Sequence, residues 1–235
     1  MASVRLSRER VLKAAVALAD SEGMEAVTMR RLAEGLDAGA MSLYHHVPNK
    51  HALLDGMVDI VFGEIELPST DVEWKTALRR RAISTREALR RHPWAVGRME
   101  ATRAPGPADL RLHDAVLRCL RHAGFSVELA VQAYSVQDAY IYGFALQERT
   151  LAFGTPQEFA QTAKHRVQEV ESAMRDAARL YPALAEVVGG YVAEHGYDAT
   201  QAFEFGLDVI LDGLEPFRAA QHGGKPNTED PNPNL

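Results

Sequence analysis

The sequence predicts an all-α chain of two parts, a short three-helix head followed by a larger helical bundle. Apolar residues recur at helical spacing almost throughout, and no stretch alternates as a half-buried strand does. Capping and breaking residues punctuate the chain at helix-length intervals. One stretch, residues 28–50 (TMRRLAEGLDAGAMSLYHHVPNK), reads as a helix, a tight turn and a second short helix.

Ser7 is placed to cap a first helix with Val11, Ala15 and Leu18 on one side and Gly23 as its stop. Thr28 is placed to cap the second, with Val27 stapled onto Leu32. Met29, Leu32, Ala33 and Leu36 make its apolar face and leave Arg30, Arg31 and Glu34 in water. Asp37-Ala38-Gly39 breaks the pattern, with glycine tolerating positive φ and aspartate offering a local acceptor. A third helix then runs from about Ala40 to Val47. Leu36, Ala40, Leu43 and Val47 fall in a narrow inward arc, Met41, Ser42 and His45 fall opposite, and Tyr44 and His46 flank the exposed arc. A solvated helix face ordinarily carries Lys and Glu. This one carries thioether, hydroxyl, phenol and imidazole groups, which meet base edges and phosphates without strong charge repulsion. An ordinary surface helix is the plain alternative, and the turn spacing together with the basic preceding helix argues for a helix-turn-helix.

Asn49 opens a fourth helix with Leu54, Val58, Val61 and Ile65 inward, ending before Pro68. It is the continuous link between the two parts and the expected carrier of any mechanical signal. Thr70-Asp-Val-Glu73 reads as a capping box for a fifth helix, with Trp74, Leu78, Ala82 and Leu89 inward and a stop at His92-Pro93. Its Arg79, Arg80, Arg81, Arg90 and Arg91 spread around the helix as a solvated face. A Pro/Gly corner at 104–107 precedes a helix ending at Gly124. Ser126 opens the longest helix, to about Phe153, apolar on nearly every side and so expected to be buried all round. Thr155-Pro-Gln-Glu158 signals another start, the charged segment from there to Tyr181 reads as a mobile helix, and a further helix is expected from Pro182 to His195. Asp198-x-x-Gln201 opens the last helix. There Phe203, Leu207, Ile210, Leu214 and Phe217 repeat at alternating four and three spacing beside Gly206 and Gly213. That seam reads as dimerisation through a second chain, with internal packing as the alternative. The tail from Gly223 is polar, Pro/Asn-rich and expected to be disordered. The boundaries are therefore 1–50 for the head, 51–67 for the connecting helix, 68–222 for the bundle and 223–235 for the tail.

With 235 residues and 46% apolar content the chain can bury one sizeable core or two modest ones. No run reaches the ~18–20 apolar residues of a membrane span, and the N-terminus lacks a signal-peptide core. A cytoplasmic protein with no membrane partner is expected. The lone Cys119 fits a reducing compartment and a half-buried packing site; a reactive thiol, with its pKa lowered by Arg118 and Arg121, is the lesser alternative. Net charge is −6, but residues 1–50 hold seven basic and six acidic side chains, so the acidity lies in the remainder. Such a balance suits specific reading of DNA rather than bulk coating.

Residues 28–50 closely resemble the TetR family of bacterial repressors, whose N-terminal domain carries a TxRxLAxxLxxxxxxLYxHVxNK pattern. The resemblance implies that Arg30, Met41 and Ser42 touch base edges, that Thr28, Tyr44, His46 and Lys50 hold phosphates, and that His45 does either. Asp37, Ala38, Gly39 and Ala40 depart from the usual turn, so the operator sequence stays open. The segments 123–148 and 203–217 are similar to helices of tetracycline-repressor-type members, which implies a ligand-binding and dimerisation domain for the bundle. Met99 and Gln147 stand where those members chelate magnesium through a histidine and a carboxylate, and neither is a good magnesium ligand. No metal and no other cofactor is expected. Aromatic and thioether walls with a few polar groups suit a small, largely apolar effector, and Trp94, Met99, Arg103, Tyr134, Gln137, Asp138 and Phe144 are the candidates.

The leading expectation is a homodimeric repressor that binds a pseudo-palindromic double-stranded DNA operator and is released by that effector. A ligand-independent regulator or activator is the alternative. An all-helical enzyme is the remote one: nine histidines hint at a metal, but His46 and His51 straddle a helix break, and no catalytic elbow, phosphate loop or carboxylate pair appears.

Overall fold

The computed structural model describes residues 5–99, 105–150, 180–187 and 196–223. Among these the regular structure is entirely helical: α1 (Arg8–Glu22), α2 (Met29–Gly35), α3 (Ala40–Tyr44), α4 (Lys50–Gly63), α5 (Trp74–Arg91), α6 (Pro107–His122), α7 (Val127–Thr150), α8 (Pro182–Ala185) and α9 (Ala199–Gly223). Single 3₁₀ turns sit at Met24–Ala26 and Pro93–Ala95. No described helix is long and apolar enough to cross a membrane. Two compact units emerge, one of residues 1–142 with 207–235 and one of residues 143–206. The first therefore joins the head to much of the bundle and does not follow the sequence boundaries at 50 and 67.

In the head, Ser7 accepts from the Arg10 N–H at 3.2 Å, Thr28 Oγ1 from the Arg31 N–H at 3.2 Å and Asn49 Oδ1 from the Ala52 N–H at 2.9 Å, so each cap lies where the sequence places it. Gly23 ends α1 at φ 82°, a backbone angle that L side chains rarely adopt. The next turn works differently from expectation. Asp37, not Gly39, takes the left-handed conformation (φ 50°), because an aspartate side chain tolerates that region locally, and Gly39 is the extended cap of α3. Ala40 is exposed rather than inward, since it is the first residue after the turn; Leu36, Leu43 and Val47 carry the buried contact. α3 itself is five residues long, although the Val47 N–H still donates to the Leu43 carbonyl at 2.8 Å.

α4 packs on α1 on one side and α6 on the other. Its buried stripe includes Leu53, Met57, Val58, Val61 and Phe62, with Leu54 only half-buried. A Cβ on Gly56 would lie 2.7 Å from the Leu12 methyls, so glycine sets the close approach of α4 to α1. At the other contact the Asp59 carboxylate reaches across from α4 and accepts from the Ala108 N–H (2.8 Å) and the Asp109 N–H (3.1 Å), capping α6. Gly106 makes room for it: a Cβ there would sit 2.2 Å from the carboxylate.

Glu73, not Thr70, caps α5, accepting from the Thr76 N–H at 3.0 Å. Trp74, Leu78, Ala82 and Leu89 are buried as expected, and Trp74 packs edge-on to Phe125 with centroids 5.0 Å apart. Arg81 is completely buried, contrary to the solvated face read for the arginines of α5. It stands three residues after Leu78 on the inward stripe. Cys119 is also buried, and burial together with the nearby Glu73 charge pushes its thiol pKa up, the reverse of a reactive thiolate.

α7 is not buried all round. Val127, Val131 and Val136 are exposed, because aliphatic content on every face does not say which face the chain itself covers. On α9, Asp208 and Asp212 pair with Arg79 (2.9 Å) and Lys75 (2.8 Å) of α5, which turns Leu207 and Leu211 inward. Val209, Gly213 and Phe217 are left outward. Of the seam read from sequence, Gly213 and Phe217 thus face outward and the other members do not. Leu207 is core within its own chain, Ile210 and Leu214 are half-buried, and in the second unit Phe203 is fully buried with Gly206 half-buried. Phe203 there stacks edge-on to Phe144 at 5.1 Å. The expectations for Arg103, for the end of the long helix at Phe153, for 155–179, for 188–195 and for the tail beyond Gly223 lie outside the described residues.

Candidate nucleic-acid interface and effector site

The exposed face of α3 is set by burying one side of a very short helix. Leu43 and Val47 are completely buried, which anchors α3 to the head and turns Met41 (75% exposed), Ser42, Tyr44 and His45 outward. His46 is half-buried beside them. Thr28 at the start of α2, Arg30 one residue into it and Lys50 at the start of α4 are all exposed. Among the described residues Arg30 is held only by an exposed pair with Glu34 at 3.6 Å, whereas Arg31 is tied to Glu22 of α1 at 2.8 Å. Arg30 is therefore the free-reaching arginine of α2, and Arg31 braces the head.

A second cluster ties the head to the bundle, and sequence reasoning missed it. His92, just past α5, is buried with Nδ1 2.8 Å from Asp20 of α1 and Nε2 3.1 Å from Glu64 at the end of α4. The Trp94 indole N–H donates to the same Asp20 oxygen at 2.7 Å, and Arg91 pairs with Glu64 at 2.7 Å. Burial works against ionisation of Glu64, but Arg91 and His92 more than offset it and hold its pKa below the usual value. Trp94, one of the expected effector residues, is thus part of this junction. Its partners lie 72 and 28 residues from His92 along the chain, so no local pattern announces them.

The third cluster surrounds Arg81. Its Nη1 lies 2.6 Å from Asp138 Oδ1 and donates to Gln137 Oε1 at 3.3 Å, and the guanidinium carbon stands 5.7 Å from the centre of the Tyr134 ring. Gln137 is held in turn by the Leu78 carbonyl, to which its amide donates at 3.5 Å. Tyr134 also meets His113 edge-on at 5.2 Å, and His113 Nδ1 lies 2.7 Å from Asp109. Burial disfavours the Arg81 charge, but Asp138 and the Tyr142 and Tyr134 hydroxyls hold its pKa up. Burial, then Asp138, raises the Tyr134 phenol so that it stays a neutral donor. Asp109 is raised chiefly by burial. Three expected effector residues, Tyr134, Gln137 and Asp138, are thus brought together around an arginine that was not among them. Met99 is buried but shares no described contact with this group, and Phe144 lies in the second unit. The helical phase of α5 holds the signal for Arg81, since positions 74, 78, 81, 82, 85 and 89 form one inward stripe.

Two sequence profiles cover most of the chain. That of bacterial regulatory proteins of the tetR family matches residues 11–57, and that of the tetracyclin repressor-like C-terminal domain matches residues 67–217. The chain belongs to the TetR family. It is similar to the HTH-type transcriptional repressor DrrR1 of Streptomyces coeruleorubidus, with 35% identity over 93% of this chain and 80% of that one. The tetracycline repressor protein class C of Escherichia coli is 34% identical over 91% of this chain and 93% of its own length. Among solved structures, the Streptomyces coelicolor TetR family protein ActR in complex with actinorhodin superposes with a TM-score of 0.72, at 29% identity and covering 92% and 99% of the two chains. This TetR-family chain is accordingly a helix-turn-helix transcriptional regulator.

Proposed function

We propose that this protein is a cytoplasmic, homodimeric repressor that binds a pseudo-palindromic operator through α2, α3 and the start of α4 and is released by a small, largely apolar effector. The observation that carries the reading is the α3 face: Met41, Ser42, Tyr44 and His45 stand outward while Leu43 and Val47 fix the helix from behind. Arg30, Met41 and Ser42 are assigned to base edges, and Thr28, Tyr44, His46 and Lys50 to phosphates, with His45 serving either. The paired α7 and α9 supply the dimer surface. Gln221 accepts from the Ser126 N–H (2.9 Å) and donates to Ser126 Oγ (2.8 Å), and Arg218 donates to the Ala123 carbonyl (3.0 Å), so the end of α9 is fastened to the start of α7. Val131 and Val136 of α7 with Val209, Gly213 and Phe217 of α9 then form an exposed apolar surface suited to a second copy.

Effector release follows from geometry. Two reading helices must stand about 34–36 Å apart to enter successive major grooves, and a ligand that favours another spacing weakens binding. The Arg81 cluster supplies the effector's polar contacts, and α4 with the Asp20–His92–Glu64 junction transmits the change. A coupling of ~1–3 kcal/mol alters operator affinity about five- to 150-fold. The test is selection of bound duplexes from a random pool at physiological salt. Enrichment of a pseudo-palindrome supports the reading; bound DNA with no sequence preference refutes it.

A further inference from the structure

Several cations of the head are spent on its own acids: Lys13 pairs with Glu9 at 2.7 Å, Arg31 with Glu22 at 2.8 Å and Arg30 with Glu34 at 3.6 Å. Arg5, Arg8 and Lys50 are exposed and have no acid partner among the described residues. Lys50 is assigned to a phosphate above. Arg5 and Arg8 lie ahead of residue 11, where the family profile begins to match, so the family pattern assigns them nothing.

The packing of the head decides where these two arginines stand. α1 and α4 run side by side in the same direction: the Leu12 methyls meet Gly56, and eight positions further along both segments Asp20 and Glu64 hold the two ring nitrogens of His92. The chain ahead of α1 therefore leaves at the Lys50 end of α4. Lys50 lies six residues before Gly56, ~9 Å along the helix axis. Arg8, one turn before Leu12, lies ~6 Å toward the same end, and the non-helical stretch before the Ser7 cap carries Arg5 up to ~10 Å beyond Arg8. The two arginines thus bracket the level of Lys50. Gly56 adds room for one of them, since Arg8 Nη2 lies 3.1 Å from the place a Cβ there would take. A bare glycine lets the guanidinium rest against α4 without an acid to neutralise it.

Unpaired guanidinium groups offer a planar fork of donors that matches phosphate oxygens. Base edges are read by groups seated in a groove, and neither arginine belongs to α3. We propose, resting on the operator-binding reading above, that Arg5 and Arg8 form a cationic rim beside Lys50 that grips the phosphates flanking the groove α3 enters. The rim adds affinity for duplex DNA without reading its sequence.

The test is equilibrium binding of the full-length protein to two labelled duplexes across a salt series, one enriched from the random pool and one of the same composition in scrambled order. Each phosphate contact contributes about 0.9 to the slope of log affinity against log salt. The double variant Arg5→Ala, Arg8→Ala is expected to flatten the slope by about two units and to weaken binding about tenfold or more at low salt, on both duplexes alike. Arg5→Lys with Arg8→Lys keeps the charges and should restore the slope, which a purely packing role of the guanidinium over Gly56 would not. An unchanged slope in the alanine variant, a loss confined to the enriched duplex, or failure of the lysine variant to restore the slope overturns the inference. Lys50→Ala, measured alongside, separates the two readings. If it flattens the slope and the arginine variant does not, the head assignment stands and the rim falls; if neither flattens it, or the wild-type protein binds neither duplex, both fall. Should the alanine variant lose helicity by circular dichroism, Arg5→Gln with Arg8→Gln, which keeps the side-chain stems, takes its place in the same comparison.

Discussion

Replacing Asp20 tests the junction between head and bundle most directly, because a single carboxylate oxygen there serves two buried donors on the other side. His92 Nδ1 and Trp94 Nε1 lie 2.8 and 2.7 Å from Asp20 Oδ1. In Asp20→Ala the Trp94 N–H, on a residue only 8% exposed, is left without an acceptor, and His92 keeps only Glu64. An orphaned buried donor costs about 1–3 kcal/mol, and a bond to a charged partner falls in a similar range. The Asp20 side chain is 28% exposed, so solvent screening lowers the upper end. A destabilisation of about 2–3 kcal/mol is expected. Asp20→Asn, which retains an acceptor oxygen but not the charge, should cost roughly half as much. The assay is urea unfolding of wild-type, Asp20→Ala, Trp94→Phe and the double variant at one protein concentration, since a dimer's stability depends on it. The two single costs should fail to add, with a coupling of about 1 kcal/mol or more. Additive costs, or a loss under ~0.5 kcal/mol for Asp20→Ala, would refute the claim that this carboxylate joins the two halves.

The reading face gives a second expectation: Arg30→Ala and Ser42→Ala each weaken operator binding by ~1–3 kcal/mol and relax base preference, whereas Lys50→Ala weakens all duplexes alike and flattens the salt slope by about one unit, as competition binding across a salt series will show. Gly106→Ala should displace Asp59 from the α6 N-terminus and cost about 1–2 kcal/mol, while Asp59→Ala in the same background adds little, which thermal unfolding can measure. Phe217→Glu, at a side chain 62% exposed and outside the core, should leave helicity intact and shift the protein to monomer in sedimentation velocity. Glu64, whose pKa is held below its usual value of 4.5, contributes stability that is present above that value and lost as pH falls through the lower, folded one; Glu64→Gln should flatten that acid limb in pH-dependent unfolding.

Much of the head was legible because its signals are local. Ser7, Thr28 and Asn49 cap helices three residues ahead of the N–H groups they accept from, and Leu43 and Val47 show their burial by phase alone. Even there the turn was decided by a competition that composition does not settle: Asp37 takes positive φ two residues before a glycine that does not need it. The long apolar helices were harder. α9 carries apolar residues on two faces, and only its ion pairs with Arg79 and Lys75 of α5 determine that Leu207 and Leu211 turn inward while Val209, Gly213 and Phe217 stay out. The sequence by itself thus determined the all-helical class, the helix-turn-helix and its exposed chemistry, since caps, turns and helical phase act within a few residues. The tertiary structure alone decided that Asp20, Glu64, His92 and Trp94 meet, and that Arg81 is buried against Asp138 with one edge unspent. Those contacts join residues 28 to 74 positions apart, and a buried charge is defined by the helices packed around it rather than by its neighbours in the chain.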